Sequence, residues 1–183
     1  MILIVGDLHI PQRCLKIPKQ FAEILTPGKV HKILCTGNLT TNEQVAYLQS
    51  LCKDVYIVNG DQDEKIHDAK ESLTVKIGAF SFGLIHGHQI LPVGDPERLA
   101  SFGMQSDVDV VVSGHTHKAS ISTYEGRLLL NPGSLTGAYS ISGAQSTPSF
   151  ILLDVKKDQM TCYLYQLNES DEVEVFEYRH NKF

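Results

Sequence analysis

Five short polar motifs, each directly behind an apolar run, constrain this 183-residue chain more than any other feature. Ile2-Leu3-Ile4-Val5 leads into Gly6-Asp7-Leu8-His9, Lys32-Ile33-Leu34-Cys35 into Gly37-Asn38, and Val55-Tyr56-Ile57-Val58 into Gly60-Asp61-Gln62-Asp63. Further on, the run at 80–85 ends in His86-Gly87-His88 and the run at 108–112 leads to Gly114-His115-Thr116-His117. Short apolar runs closed by glycine read as strands buried on both faces. In open α/β sheets, ligands sit beyond the carboxyl ends of the strands, so the five tips are expected to converge on one place.

Between the first three strands the pattern turns helical. Residues 15–26 carry Phe21, Ala22, Ile24 and Leu25 at helical spacing, with a start near Pro18 and a stop at Pro27-Gly28. Thr41 to Leu51 reads as a second helix, with Thr40 or Thr41 as N-cap. Strand, helix, strand, helix, strand implies parallel pairing with right-handed crossovers. The later chain reads as hairpins at 73–77/80–85 and 120–124/128–130, a short helix over Asp95–Met104, and strands at 108–112, 150–155, 160–165 and 173–178. Residues 132–147 read as a loop. The expectation is one domain over 1–183 with a largely antiparallel second half. Its fold class is a two-sheet α/β sandwich flanked by helices, in four layers α/β/β/α.

Composition narrows the function classes. Sixteen Lys and Arg against 21 Asp and Glu give a net charge of −5, unlike a nucleic-acid-binding surface. No run of 18 apolar residues is present, and the first nine residues lack the basic start and long apolar core of a signal peptide. Cys14, Cys35, Cys52 and Cys162 are widely spaced and read as reduced thiols of a cytosolic protein, with no direct membrane insertion.

The tips carry metal-ligand chemistry. Five of the eight histidines lie there, among aspartates. Imidazole with carboxylate suits zinc, manganese or iron rather than calcium. The glycines let the backbone turn close to an ion.

The order GDxH, GN, GDQD, HGH, GHTH resembles the calcineurin-like metallophosphoesterases, whose usual series is DxH, GD, GNH, GH and GHxH. The resemblance implies up to two divalent ions, zinc or manganese. One would be held by Asp7, His9, His117 and a bridging Asn38, the other by Asn38, Asp61, His86 and His115. His88 matches no ligand position. Three departures stand out: Asn38 replaces a bridging aspartate, Asp61 replaces an asparagine, and Gln62 replaces the histidine that protonates the leaving group. Glutamine donates a hydrogen bond but supplies no proton near pH 7.

Those departures, with GDLHIP, ILCTGNLT, GDQDE, GLIHGHQ, SGHTHK, NPGSLTGAY and PSFILLD, resemble the branch of the family that serves as the small subunit of the retromer coat. This resemblance implies a non-catalytic or nearly inactive scaffold, cytoplasmic and peripheral on endosomes, engaged in endosome-to-Golgi retrieval of cargo. Its metal face would dock to the α-solenoid large subunit through Leu8, Ile10, Ile90, Leu91, Pro92 and Val93. It also implies a second apolar patch for regulators of endosomal traffic, at Leu152, Tyr163 and Tyr165, with Ile2 and Leu25 as neighbours. Two other readings compete: an active dinuclear-metal phosphoesterase, and a domain whose ions are purely structural.

Overall fold

In a computed structural model, residues 1–63, 69–140, 142–143 and 146–182 are described. Among them the chain forms two sheets packed face to face. The first half opens with β1 (Ile2–Val5), α1 (Lys19–Ile24), β2 (Lys32–Cys35), α2 (Asn42–Leu51) and β3 (Val55–Ile57). Pairings β1–β2 and β2–β3 are parallel, as βαβ units require. Pro18 caps α1, as its fixed φ and missing N–H suit a helix start. Thr41 occupies the N-cap of α2 without a side-chain bond, while the Thr40 hydroxyl donates to Ile10 O at 2.6 Å.

The chain then builds the second sheet from β4 (Ser72–Ile77), β5 (Phe80–Ile85), β6 (Val110–Val112), β7 (Ser120–Tyr124) and β8 (Arg127–Asn131), with α3 (Pro96–Gln105) between β5 and β6. Asp95 caps α3 through Arg98 N at 2.9 Å. Strands β9 (Ser149–Lys156), β10 (Gln159–Leu167) and β11 (Val173–Asn181) return to the first sheet. The sheet orders are β11-β10-β9-β1-β2-β3 and β4-β5-β6-β8-β7.

The second half is largely antiparallel, as read from sequence, with two exceptions. Pairings β5–β6 and β6–β8 are parallel. Helix α3 makes a crossover between β5 and β6, and the β7 excursion returns the chain as β8 alongside β6. The loop expected over 132–147 includes 141, 144 and 145, which lie outside the described residues.

Three apolar clusters define the four layers. Ile4, Leu34, Phe82, Val110, Val112 and Ile151 pack between the sheets. Leu3, Val5, Ile33 and Cys35 meet Phe21 of α1, Leu25 at its C-cap, and Leu48 and Leu51 of α2. Val111 and Leu129 meet Leu99 and Phe102 of α3. Alternation along β1 therefore feeds both faces of the first sheet, and its carboxyl end is fixed between two cores. All four cysteines are free, and burial pushes the Cys162 thiol up to about 12.

Candidate metal centre

The strand-end motifs meet at one face. Asp7 and His9 follow β1, Asn38 follows β2, Asp61 follows β3, His86 follows β5, and His115 and His117 follow β6. Their ligand-type atoms form two groups, Asp7/His9/His117 and Asp61/His86/His115, each with all its atoms within 4.8 Å of one another. In the first, Asp7 Oδ1 lies 3.4 Å from His117 Nε2 and 3.7 Å from His9 Nε2. In the second, Asp61 Oδ1 lies 2.9 Å from His86 Nε2 and 3.4 Å from His115 Nδ1. His86 Nε2 stands 4.0 Å from Asp7 Oδ1, so the groups adjoin. The first group is closed off from solvent, whereas the Asp61 side chain is 20% exposed and that of His115 10%.

The loops carry strain to achieve this. Asp7, His9, Asn38, His115 and His117 all have positive φ, between 48° and 67°. Each such position costs an L-residue about 1 kcal/mol or more, and persists only where the surroundings fix it. What fixes them is a set of hydrogen bonds that the sequence motifs did not reveal. The Asp63 carboxylate accepts from Asn38 N, Gly60 N and Thr40 N at 2.7, 2.9 and 2.8 Å. Ser134 Oγ donates to Asp7 O and Thr136 Oγ1 to Leu8 O, both at 2.7 Å. His115 N donates to Asp7 Oδ2 at 2.8 Å. The Nδ1 atoms of His86 and His117 lie 2.6 Å from the carbonyls of Thr36 and Ala138. A carbonyl only accepts, so each Nδ1 carries the proton and each Nε2 faces the centre. The second aspartate of GDQD and the hydroxyls of NPGSLTGAY were the available signals for these supports.

Electrostatics follow from the geometry. Burial alone would raise the Asp7 carboxyl, but hydrogen bonding with His117 and His9 and the charge of His86 hold it far below the usual range. The Asp61 carboxyl is lowered chiefly by its hydrogen bond with His86. Burial works to lower His86 and His117, yet the carboxylate beside each raises it. His115 is lowered by burial and by the charge of His86. His88 stands apart from both groups, its ring 5.4 Å from that of His86 and its buried Nδ1 without a hydrogen-bond partner among the described residues.

Imidazole and carboxylate make each group a fit for one zinc- or manganese-like ion. The space between the groups fits less well. The Asn38 amide turns its NH2, not its oxygen, toward Asp7, Asp61 and His86. Gln62 supplies its backbone N–H to Asn38 Oδ1 at 2.9 Å, while its exposed side chain donates to Asp61 Oδ2 at 3.0 Å.

The residues expected at the rim differ in exposure. Leu91, Pro92 and Val93 are exposed, Leu91 by 72%. Leu8, Ile10 and Ile90 are buried: the first two pack under α1 and α2, the third against Leu99 and Val108. They shape the face from beneath and offer it little side-chain surface. On the first sheet's helix-covered side, Leu152 and Tyr165 line a groove of about 360 Å³ with Ile24, Leu25, Val30 and Leu51. Tyr163 pairs with Leu152 across β9–β10 and lies outside the groove lining. Ile2 points the other way, into the core between the sheets.

A two-sheet sandwich with paired His/carboxylate groups at its strand ends defines a phosphoesterase-type fold. The sequence profile of the calcineurin-like phosphoesterase superfamily domain matches residues 1–158. The chain is 34% identical to vacuolar protein sorting-associated protein 29 of Schizosaccharomyces pombe over 98% of both chains. The crystal structure of Vps29 from Chaetomium thermophilum superimposes with a TM-score of 0.95 at 34% identity, covering 100% of this chain and 98% of that one. Vps29 from Entamoeba histolytica, complexed with Zn²⁺, gives a TM-score of 0.91 at 40% identity, covering 97% and 98%. This chain belongs to the Vps29 family within the calcineurin-like phosphoesterase superfamily.

Proposed function

We propose that this chain is a single-domain docking subunit of retromer rather than a working phosphoesterase. The observation that carries this reading is the exposed apolar segment Leu91-Pro92-Val93 beside a polar metal face. An apolar rim is poorly suited to an anionic phosphate and well suited to a protein partner. The proposed partner is the α-solenoid large subunit, reached by the loops that carry Asp7, Asn38, Asp61 and His115. Family membership over the whole chain supports a role at endosomes in cargo retrieval. The test is binding of the purified large subunit to the native chain and to Leu91→Asp. The expected result is at least a tenfold weaker complex with unchanged melting; equal affinity sinks the reading.

The ligand sets favour a second reading, a metal-dependent phosphoesterase. Asp7, His9 and His117 would hold one ion and Asp61, His86 and His115 another. The zinc held by the Entamoeba relative supports zinc as that ion. When bound, such ions polarise a phosphoryl oxygen and lower the pKa of a water. Against turnover stands Gln62, which offers Nε2 hydrogens at the second group but no transferable proton. Loss of a general acid lowers rates by about 10²–10⁴-fold. Turnover of an aryl phosphodiester with added zinc or manganese separates the readings: no native activity above a His115→Ala control, with some gained by Gln62→His, supports docking. Native activity well above that control supports the enzyme.

The groove lined by Leu152 and Tyr165 is the proposed site for regulators, with Tyr163 at its margin. Leu152→Glu is expected to leave folding intact and abolish binding of a regulator peptide.

A further inference from the structure

We infer that the Asn38 side-chain amide takes the place of a bridging cation, holding Asp7 and Asp61 in register so that the face keeps its shape without metal. Nδ2 lies 3.2 Å from Asp7 Oδ1, 3.0 Å from Asp61 Oδ1 and 3.1 Å from His86 Nε2. Oδ1 lies 2.9 Å from Gln62 N. A backbone N–H can only donate, so the end facing Gln62 must be the oxygen. That choice fixes the other end as the NH2, and it points at two carboxylates, Asp7 Oδ1 and Asp61 Oδ1, with the His86 ring alongside. Both amide hydrogens therefore meet acceptors drawn from both groups.

The side chain has no room to leave. It is 1% exposed and its backbone is held by Asp63. A Cβ on Gly60 would come within 2.1 Å of Asn38 Oδ1, so the neighbouring loop is packed directly against the amide. Turning the amide over would present its oxygen to an ion, but would set the NH2 against the Gln62 N–H. Bridging of two ions by Asn38 and the Gln62 bond are thus mutually opposed. An aspartate at 38 would keep the Gln62 bond. It would also bring a third carboxylate against Asp7 and Asp61, an arrangement that requires a cation between them. Asn38 in this account makes the face independent of metal supply, which deepens the docking reading and rests on it only for its purpose.

The test is thermal unfolding of the full chain in EDTA and in excess zinc chloride, for the native protein and Asn38→Asp. In EDTA the variant is expected to melt at least about 5 °C below native, and its gain on adding zinc should exceed the native gain by a similar margin. A variant as stable as native in EDTA, or with no larger response to zinc, overturns the inference. If the variant folds only when purified with zinc, its unfolding on chelation is the same expected result. If it never folds, the native protein decides. In the presence of EDTA, the Asn38 side-chain amide protons should exchange with solvent at least tenfold more slowly than those of exposed Gln159; equally fast exchange overturns the inference. No partner takes part, so failure here leaves docking to be judged on the large subunit, and failure of docking leaves this result standing.

Discussion

The two halves of the candidate metal centre use the same residue types in different settings. Asp7, His9 and His117 are sealed between two cores, and the loop at 131–138 ties them down through Ser134, Thr136 and the Ala138 carbonyl. Asp61 and His115 are partly open to solvent while His86 between them is buried, and Asp61 follows the short edge strand β3. A buried carboxylate must keep its partners or bear an uncompensated charge, whereas a half-open one can fall back on water. The first group therefore acts as a structural keystone. The second is where an exchangeable ion or a partner side chain can enter.

The largest effect expected from this contrast is at Asp7. It takes the His115 N–H and the Asn38 amide and faces His9 and His117. Asp7→Ala should cost about 3–5 kcal/mol in urea unfolding, because those groups are left buried and unpaired. Asp61→Ala should cost only about 1 kcal/mol, since water can replace the carboxylate there. Equal costs for the two variants would erase the distinction.

Backbone packing sharpens it next. A Cβ at Gly60 would meet Asn38 N at 2.4 Å, a backbone atom that cannot swing aside. A Cβ at Gly114 would meet Thr36 Oγ1 at 2.6 Å and Asp7 Oδ2 at 2.8 Å, both side-chain atoms. Gly60→Ala is expected to cost about 3 kcal/mol and Gly114→Ala about 2 kcal/mol. A milder Gly60→Ala than Gly114→Ala would mean that the β3 loop yields more readily than the sealed half.

Much of this was legible in the sequence because the local signals agree with the global fold. Ile2–Val5 ending in glycine gave a buried strand, Pro18 and Pro27-Gly28 bracketed α1, and Glu125-Gly126, both at positive φ, turned the β7–β8 hairpin. The seven ligand-type positions were named from strand-end placement and family resemblance. What sequence could not supply was direction. Leu8 and Ile10 lie beside ligands in the chain yet face the core, because positive φ at Asp7 and His9 redirects successive side chains. Nor could spacing reveal that β5, β6 and β8 run parallel, or that Asp63 clamps three backbone amides. The orientation of the Asn38 amide depends on Gln62 N, a contact between two loops that only the fold brings together.

A partly open carboxylate away from the centre calibrates the comparison and carries the smallest expected effect. Asp109 ties β11 to the second sheet: it accepts from Lys182 Nζ at 2.9 Å and from Ser81 N and Oγ, each at 2.8 Å. Burial pushes its carboxyl up, but the Ser81 and Lys182 bonds outweigh this and hold it below the ordinary value. A depressed carboxyl stabilises the fold above the unfolded value of about 4, and that contribution is lost as pH falls through the folded value. Both side chains are about a third exposed, so solvent screening limits the ion pair to under about 1 kcal/mol. The stability difference between native and Asp109→Asn should therefore be small at pH 6 and should vanish on acidification, as followed by urea unfolding. A difference that persists at low pH would show that Asp109 acts through shape rather than charge. It would then cease to serve as a measure of what an open carboxylate such as Asp61 contributes.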